Sequence, residues 1–426
     1  MAIVVALTVG AGVPAWANGV TERVSLSSSG KQGNLESEQA LDADAMTDDG
    51  RYVVFQSLAS NLVPNDTNGA YDVFLRDRRT RQTLRVSVSS TGGQGSQGSS
   101  RGTISADARY VAFDSDADDL VPNDTNGQGD IFVRDLTTGT TQRVNVGTDG
   151  SQANGSSYGS AISANGRYVV FASNATNLVS GDTNGSQDIF VRDRKTGTTS
   201  RVSVGTRGRQ ANGGSFAGIV SADGRFVVFS SDATNLVAHD TNLSPDVFVR
   251  DRQLGTTARV NVGAGGVEAA PGSFSFGTDL AAGGRYVAFQ SDAGNLVAGD
   301  ANGATDVFVR DRKRKLTDRV VLAPTGAPLD PGSFGGSLSA SGRFVAVSSR
   351  GSARGSADAY VIDRHSGKTR LLNAPLAGYP QQVAASTAVA ISADGRRACF
   401  DSSASNLVPG DTNETLDVFV RNLSAW

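Results

Sequence analysis

Ser163-Ala164-Asn165-Gly166-Arg167-Tyr168-Val169-Val170-Phe171, followed by Asp182-Thr183-Asn184-Gly185 and Asp188-Ile189-Phe190-Val191-Arg192-Asp193, is one copy of a phrase repeated along the chain of 426 residues. Phe171 has counterparts at Phe55, Phe113, Phe229, Phe289 and Phe400, and Val347 holds the place in a sixth copy. These positions are spaced by 58, 58, 58, 60, 58 and 53 residues. A fixed period of this size marks an array of one supersecondary unit.

Each copy reads as four short strands. Arg51-Tyr52-Val53-Val54-Phe55 and Asp72-Val73-Phe74-Leu75-Arg76 are rich in β-branched and aromatic residues and lie between Gly, Asn and Asp turns. Asp-Gly or Asn-Gly before Arg51, Arg167 and Arg225 is a two-residue hairpin signal, joining an earlier strand such as 160–163 to the next. The stretch 194–199 turns the chain into Arg201-Val202-Ser203-Val204. No helical period is sustained anywhere, and four antiparallel strands per repeat describe a propeller blade.

The last copy stops after Arg421 with no fourth strand, while Thr21-Glu22-Arg23-Val24-Ser25-Leu26 carries the fourth-strand pattern ahead of the first copy. The expected fold is therefore an all-β, seven-bladed propeller, closed by an N-terminal strand that completes the last blade. Closure removes open sheet edges, so a monomer is expected. The nine residues 163–171, with 188–193 and their equivalents, resemble the TolB-type, WD-like propeller repeats of bacterial envelope and secreted proteins. The resemblance covers almost all of residues 18–426, read as one propeller domain. It implies a fold and an envelope or secreted setting, while such propellers serve both as binding platforms and as enzyme domains.

Residues 1–17 are small and apolar and end in Ala15-Trp16-Ala17, the form of a signal-peptide cleavage site without its basic leader. A secreted or periplasmic location follows. Nothing else is apolar for long enough to span a membrane. The formal net charge of −3, without a basic block, argues against nucleic acid. Recurring arginines (Arg51, Arg76, Arg85) are expected to pair with recurring Asp77-type carboxylates within the scaffold. The single cysteine, Cys399, falls in a second strand and is expected to be a small buried hydrophobe.

Two features carry candidate chemistry. The first is the Asp-x-Asn loop: Asp66/Asn68/Asp72, Asp124/Asn126/Asp130, Asp182/Asn184/Asp188, Asp240/Asn242/Asp246, Asp300/Asn302/Asp306 and Asp411/Asn413/Asp417. Alternating oxygen ligands are what calcium loops use. The leading acid of a full calcium loop is missing, and the same residues build Asx turns, which is the preferred reading. Calcium is kept as a candidate ligand of these loops.

The second feature emerges 13 residues before each marker position, where the copies hold Asp42, Ser100, Tyr158, Phe216, Phe276, Phe334 and Thr387. Four consecutive blades thus place an aromatic where the chain enters the innermost strand, beside Gly-, Ser-, Asn- and Gln-rich loops. Such an arc either fills the upper core or binds a protein or a carbohydrate by stacking.

Enzymatic signals are poor. His239 and His365 are the two histidines and fall in turns at opposite ends of different blades. Gly155-Ser156-Ser157-Tyr158-Gly159 lacks the strand–elbow–helix setting of a nucleophile motif. A non-enzymatic protein- or glycan-binding platform is the expected function, with a polysaccharide lyase or hydrolase at the channel mouth as the alternative.

Overall fold

The structure is a computed structural model that describes residues 19–39, 45–322, 327–328, 332–350, 357–382 and 384–423. The expected leader and Asp42 lie outside them. Seven four-stranded antiparallel sheets form the blades, each ordered from the innermost strand outward. Blade 3 is representative: Ser157–Ile162, Tyr168–Ser173, Asp188–Asp193 and Thr198–Arg201. In blade 7 the strands Ser386–Ile391, Arg397–Ser402 and Asp417–Asn422 are completed by Thr21–Arg23, with Thr21 opposite Arg421 and Arg23 opposite Phe419. An additional two-stranded ribbon, Val321–Leu322 with Ala327–Pro328, follows blade 5 and was not legible from the repeat.

The marker phenylalanine explains why each blade is a blade. Phe171 lies directly opposite Phe190 in the register, and their buried rings stack at 5.9 Å. The same pair recurs in five other blades at 5.4–5.8 Å. Blade 6 replaces it with Val347 opposite Tyr360. Seven apolar clusters fill the molecule, one at each junction between neighbouring blades, the junction of blades 7 and 1 included. Cys399 is a fully buried member of the last of these. Burying apolar area at about 25 cal/mol per Å² makes these junctions the main stabilising term.

Arginines tie the blades together. Arg167 makes a bidentate pair with Asp193 at 2.7 and 2.9 Å, and its guanidinium lies over the Tyr168 ring. Arg252, from the next blade, covers the same ring at 4.4 Å. Gly224 closes this arrangement: it sits at φ +73°, and a Cβ there would fall 2.0 Å from the Tyr168 ring. Arg51 pairs with Asp77 as expected, whereas Arg76 donates to the carbonyls of Ser27 and Arg81.

Candidate functional site

The Asp-x-Asn loops come first, because their cation is already present. Arg201, on the fourth strand of blade 3, lies 2.9 Å from Asp182 and 3.1 Å from Asp188, with both carboxylates buried. Asp66 and Asp72 share Arg85, Asp124 and Asp130 share Arg143, Asp240 and Asp246 share Arg259, Asp300 and Asp306 share Arg319, and Asp411 and Asp417 share Arg23. Burial and the neighbouring Asp188 raise the Asp182 carboxyl above its usual range, while the arginine opposes both.

Five of the six asparagines of these loops are turned the wrong way for metal ligands. In five loops the side-chain oxygen, the atom a calcium ion would need, accepts a backbone amide two residues on and closes an Asx turn. Asn68 accepts from Ala70 N at 3.1 Å, Asn126 from Gln128 N at 3.1 Å and Asn184 from Ser186 N at 3.2 Å. Asn242 accepts from Ser244 N at 3.3 Å and Asn302 from Ala304 N at 3.1 Å. The amide nitrogen, a donor, faces the carboxylate instead: Asn126 to Asp130 at 3.3 Å, Asn184 to Asp188 at 3.1 Å, Asn242 to Asp246 at 3.1 Å and Asn302 to Asp306 at 2.9 Å.

The same amides reach across to the next loop. Asn68 donates to the carbonyl of Gly95, Asn126 to Ala153, Asn242 to Ala269 and Asn413 to Gly33. The sequence thus brings each Asp, Asn and Asp together as expected, but around a guanidinium and an amide N–H rather than around an open site. A calcium ion would have to displace that buried guanidinium and flip the amide. Among the described residues no three His, Cys, Asp or Glu side chains converge in a metal-holding group.

The aromatic arc is built by a β-bulge. In blade 3 Tyr158 pairs with Ala172, and the register then slips before Ala161 meets Val170. The slip frees an amide, which the preceding blade accepts: Gly159 N donates to Asp114 at 2.7 Å. The same latch joins Arg101 N to Gln56, Gly277 N to Ser230 and Gln39 N to Asp401. It holds the first residues of these four innermost strands in place at the channel mouth. Tyr158, Phe216, Phe276 and Phe334 all lie there and are half-buried. Tyr158 donates its hydroxyl to Gln187. Phe216 and Phe276, from neighbouring blades, stack at 6.1 Å and 23°.

A fifth ring extends the row. Phe274 stacks on Phe276 at 6.2 Å and is 43% exposed. It faces Phe334 across a cavity of about 440 Å³, completed by Gln290, Asp292, the segment 303–305 and Gly332-Ser333. The signal for Phe274 stood in the sequence: the marker spacing from Phe229 to Phe289 is 60 rather than 58, and Pro271-Gly272-Ser273-Phe274 lies in that longer loop.

The opposite side of the mouth is acidic. In blade 1 the arc position is held by Glu38, which the register sets opposite Gln56 where Tyr158 meets Ala172. The count of 13 residues fails in blade 1, where the innermost strand starts further from Phe55. Ser100 and Thr387 occupy the position in blades 2 and 7, opposite Asp114 and Asp401. Burial, with a contribution from Glu38, pushes the Asp401 carboxyl well above its normal range. At the other end of the channel a ring of Met46, Ile104, Ile162, Val220, Leu280, Leu338 and Ile391 narrows a cavity of about 130 Å³. Asp48 and Asp279 are its two carboxylates. Burial raises Asp279 to about 6, and it accepts the amide hydrogen of Leu338 from the next blade.

His239 and His365 stay apart, in a loop at the mouth end and in a hairpin at the far end. Comparison with solved structures agrees with the architecture. An oligogalacturonate lyase from Vibrio parahaemolyticus is 14% identical over 95% of this chain and 98% of its own, with a TM-score of 0.56. The chain is a seven-bladed β-propeller. The propeller domain of the trilobed protease from Pyrococcus furiosus is 10% identical over 91% of this chain and 95% of its own, with a TM-score of 0.51. TolB from Acinetobacter baumannii is also similar, at 18% identity over 71% of this chain and 59% of its own, with a TM-score of 0.40. At these identities the likeness is one of fold. No protein-family model and no curated protein matches the sequence. No helix among the described residues is long and apolar enough to cross a membrane.

Proposed function

We propose that the protein is a secreted or periplasmic, non-enzymatic propeller that binds a carbohydrate chain across its channel mouth. The observation that carries this reading is the row of Phe216, Phe276 and Phe274, stacked ring to ring and leading into the cavity closed by Phe334. Aromatic faces in a row suit the apolar faces of successive sugar rings, and Gln290 and Asp292 offer polar groups for hydroxyls. A packing role would bury these rings, as it does the marker phenylalanines, whereas the row stays partly open to solvent. The rigid arginine-tied ring holds the rings in place before the ligand arrives, which lowers the ordering cost of binding.

The test is a glycan panel titrated against the full chain and against Phe276→Ala and Phe334→Ala. Binding that falls at least about tenfold in both variants, with melting curves retained, supports the reading. Glycan affinity unchanged in both variants, or no glycan bound by the native chain, overturns it.

A further inference from the structure

The framework aspartates and the mouth aspartates differ in one respect. Each Asp-x-Asn loop pair and each Asp77-type residue described above has an arginine within salt-bridge distance. Asp116, Asp232 and Asp292 do not. They stand directly after the second strands of blades 2, 4 and 5, which end at Ser115, Ser231 and Ser291. All three are exposed at the mouth end, and none makes an ion pair among the described residues. The cations at this level are Arg101, on the innermost strand of blade 2 and on the side away from the cavity, and Arg350, the last residue of the second strand of blade 6. Asp292 lines the cavity between Phe274 and Phe334, and one of its oxygens accepts from Phe274 N at 2.7 Å.

We infer that the carbohydrate held at this mouth carries free amino groups, as a glucosamine polymer does. The inference rests on the glycan-binding reading above. An ammonium group in the cavity meets two kinds of partner at once: the rings of Phe274 and Phe334, and the carboxylate of Asp292. Aromatic faces attract cations through their quadrupole, and a charged donor on a carboxylate makes a stronger hydrogen bond than a neutral hydroxyl does. A uronate chain brings carboxylates against Asp292 and Asp232 and is repelled. The mouth therefore selects against the acidic sugars handled by the oligogalacturonate lyase of the same fold.

The test is calorimetry of the full chain at low salt with four hexamers: glucosamine, N-acetylglucosamine, galacturonate and lysine. The expected order is glucosamine first, N-acetylglucosamine weaker, galacturonate unbound and hexalysine weaker than glucosamine. Asp292→Asn is expected to lower glucosamine affinity by about tenfold, the worth of one charge-assisted hydrogen bond, and to lower N-acetylglucosamine affinity by less, so that the preference between the two sugars narrows. Equal affinity for the two sugars, unaltered in Asp292→Asn, overturns the charge preference and leaves the glycan platform standing. Hexalysine binding in preference to every sugar, or no sugar bound at all, overturns the glycan platform and with it this inference.

Discussion

The outer framework of the ring and its channel mouth are made from the same seven repeats and obey opposite rules. In the framework blade after blade repeats the last: an arginine clamps two loop carboxylates, another pairs with an aspartate while covering an aromatic ring, and a phenylalanine pair stacks within. At the mouth the residue opposite the second strand changes from Glu38 and Ser100 to Tyr158, Phe216, Phe276, Phe334 and Thr387. Repetition marks what the ring needs to close, because seven equivalent junctions pose one packing problem seven times. The departures from repetition lie where the proposed ligand, which lacks sevenfold symmetry, would make its demands.

Breaking the framework is expected to have the largest effect. Arg201→Ala leaves Asp182 and Asp188 buried without a cation, and removing one partner of a buried ion pair costs about 3–5 kcal/mol. Urea unfolding measures this, and sugar binding to the folded fraction is expected to be unaltered. The reverse change, Phe276→Ala, is expected to lower carbohydrate affinity by about tenfold while shifting the urea midpoint far less than Arg201→Ala does.

The pH response sharpens the account of the framework, since its carboxylates and the buried Asp279 at the far end of the channel carry opposite signs. Hydrogen bonds from arginine hold Asp135, Asp193 and Asp311 down at about 2, so their stabilisation is present above the unfolded value near 4 and lost as pH falls toward 2. Asp279 titrates the other way. Its folded value near 6 exceeds the unfolded one, the folded protein holds the extra proton, and stability falls as pH rises from about 4 to about 6. In blade 6 the equivalent Ser337 accepts the Ile391 amide at 3.2 Å, so a hydroxyl can fill the role. Asp279→Ser is therefore expected to raise the melting temperature relative to the native chain at pH 7.5 more than at pH 4.5. A pH-independent difference would assign Asp279 no titration in this range.

Two smaller effects complete the series. Ala108 takes φ +57° at the hairpin position where blade 3 has Gly166 at φ +67°. Ala108→Gly is expected to stabilise by up to about 1 kcal/mol, the left-handed strain relieved less the added chain entropy. Calcium and chelator are expected to leave the melting temperature unchanged, because the arginines already hold the loop carboxylates and, in five of the six loops, the asparagine oxygen already holds a backbone amide. A calcium-dependent rise would show that the ion displaces a guanidinium.

The blades were legible because turn chemistry and strand composition are local, and because a register of two fixes which side chains face each other. The closure by Thr21–Arg23 was legible for the same reason: a fourth-strand pattern missing at one end stands at the other. What escaped depends on contacts between hairpins and blades. Arg201 follows Asp188 by 13 residues, and only the third- and fourth-strand register reveals that the two meet. The Asx turns at Asn68, Asn126 and Asn242 were legible as turns, but the direction of each amide is set by the next loop. Glu38 escaped because counting back from Phe55 assumes a constant strand start. Phe274 was visible as a spacing anomaly, yet its value depends on Phe334, which arrives from the next blade. Asp279 sits at a position held by Ala161, Ile219 or Ser337 elsewhere, and its burial follows from the junction rather than from its neighbours in sequence.

The most direct test of a mouth-centred function is hydrogen–deuterium exchange with and without a bound glucosamine hexamer. The expected result is protection confined to the segments around 272–277, 290–292, 302–306 and 332–335, with the hairpins at the far end of the channel unchanged. Protection at those hairpins instead, around 194–198 and 312–316, would contradict the account.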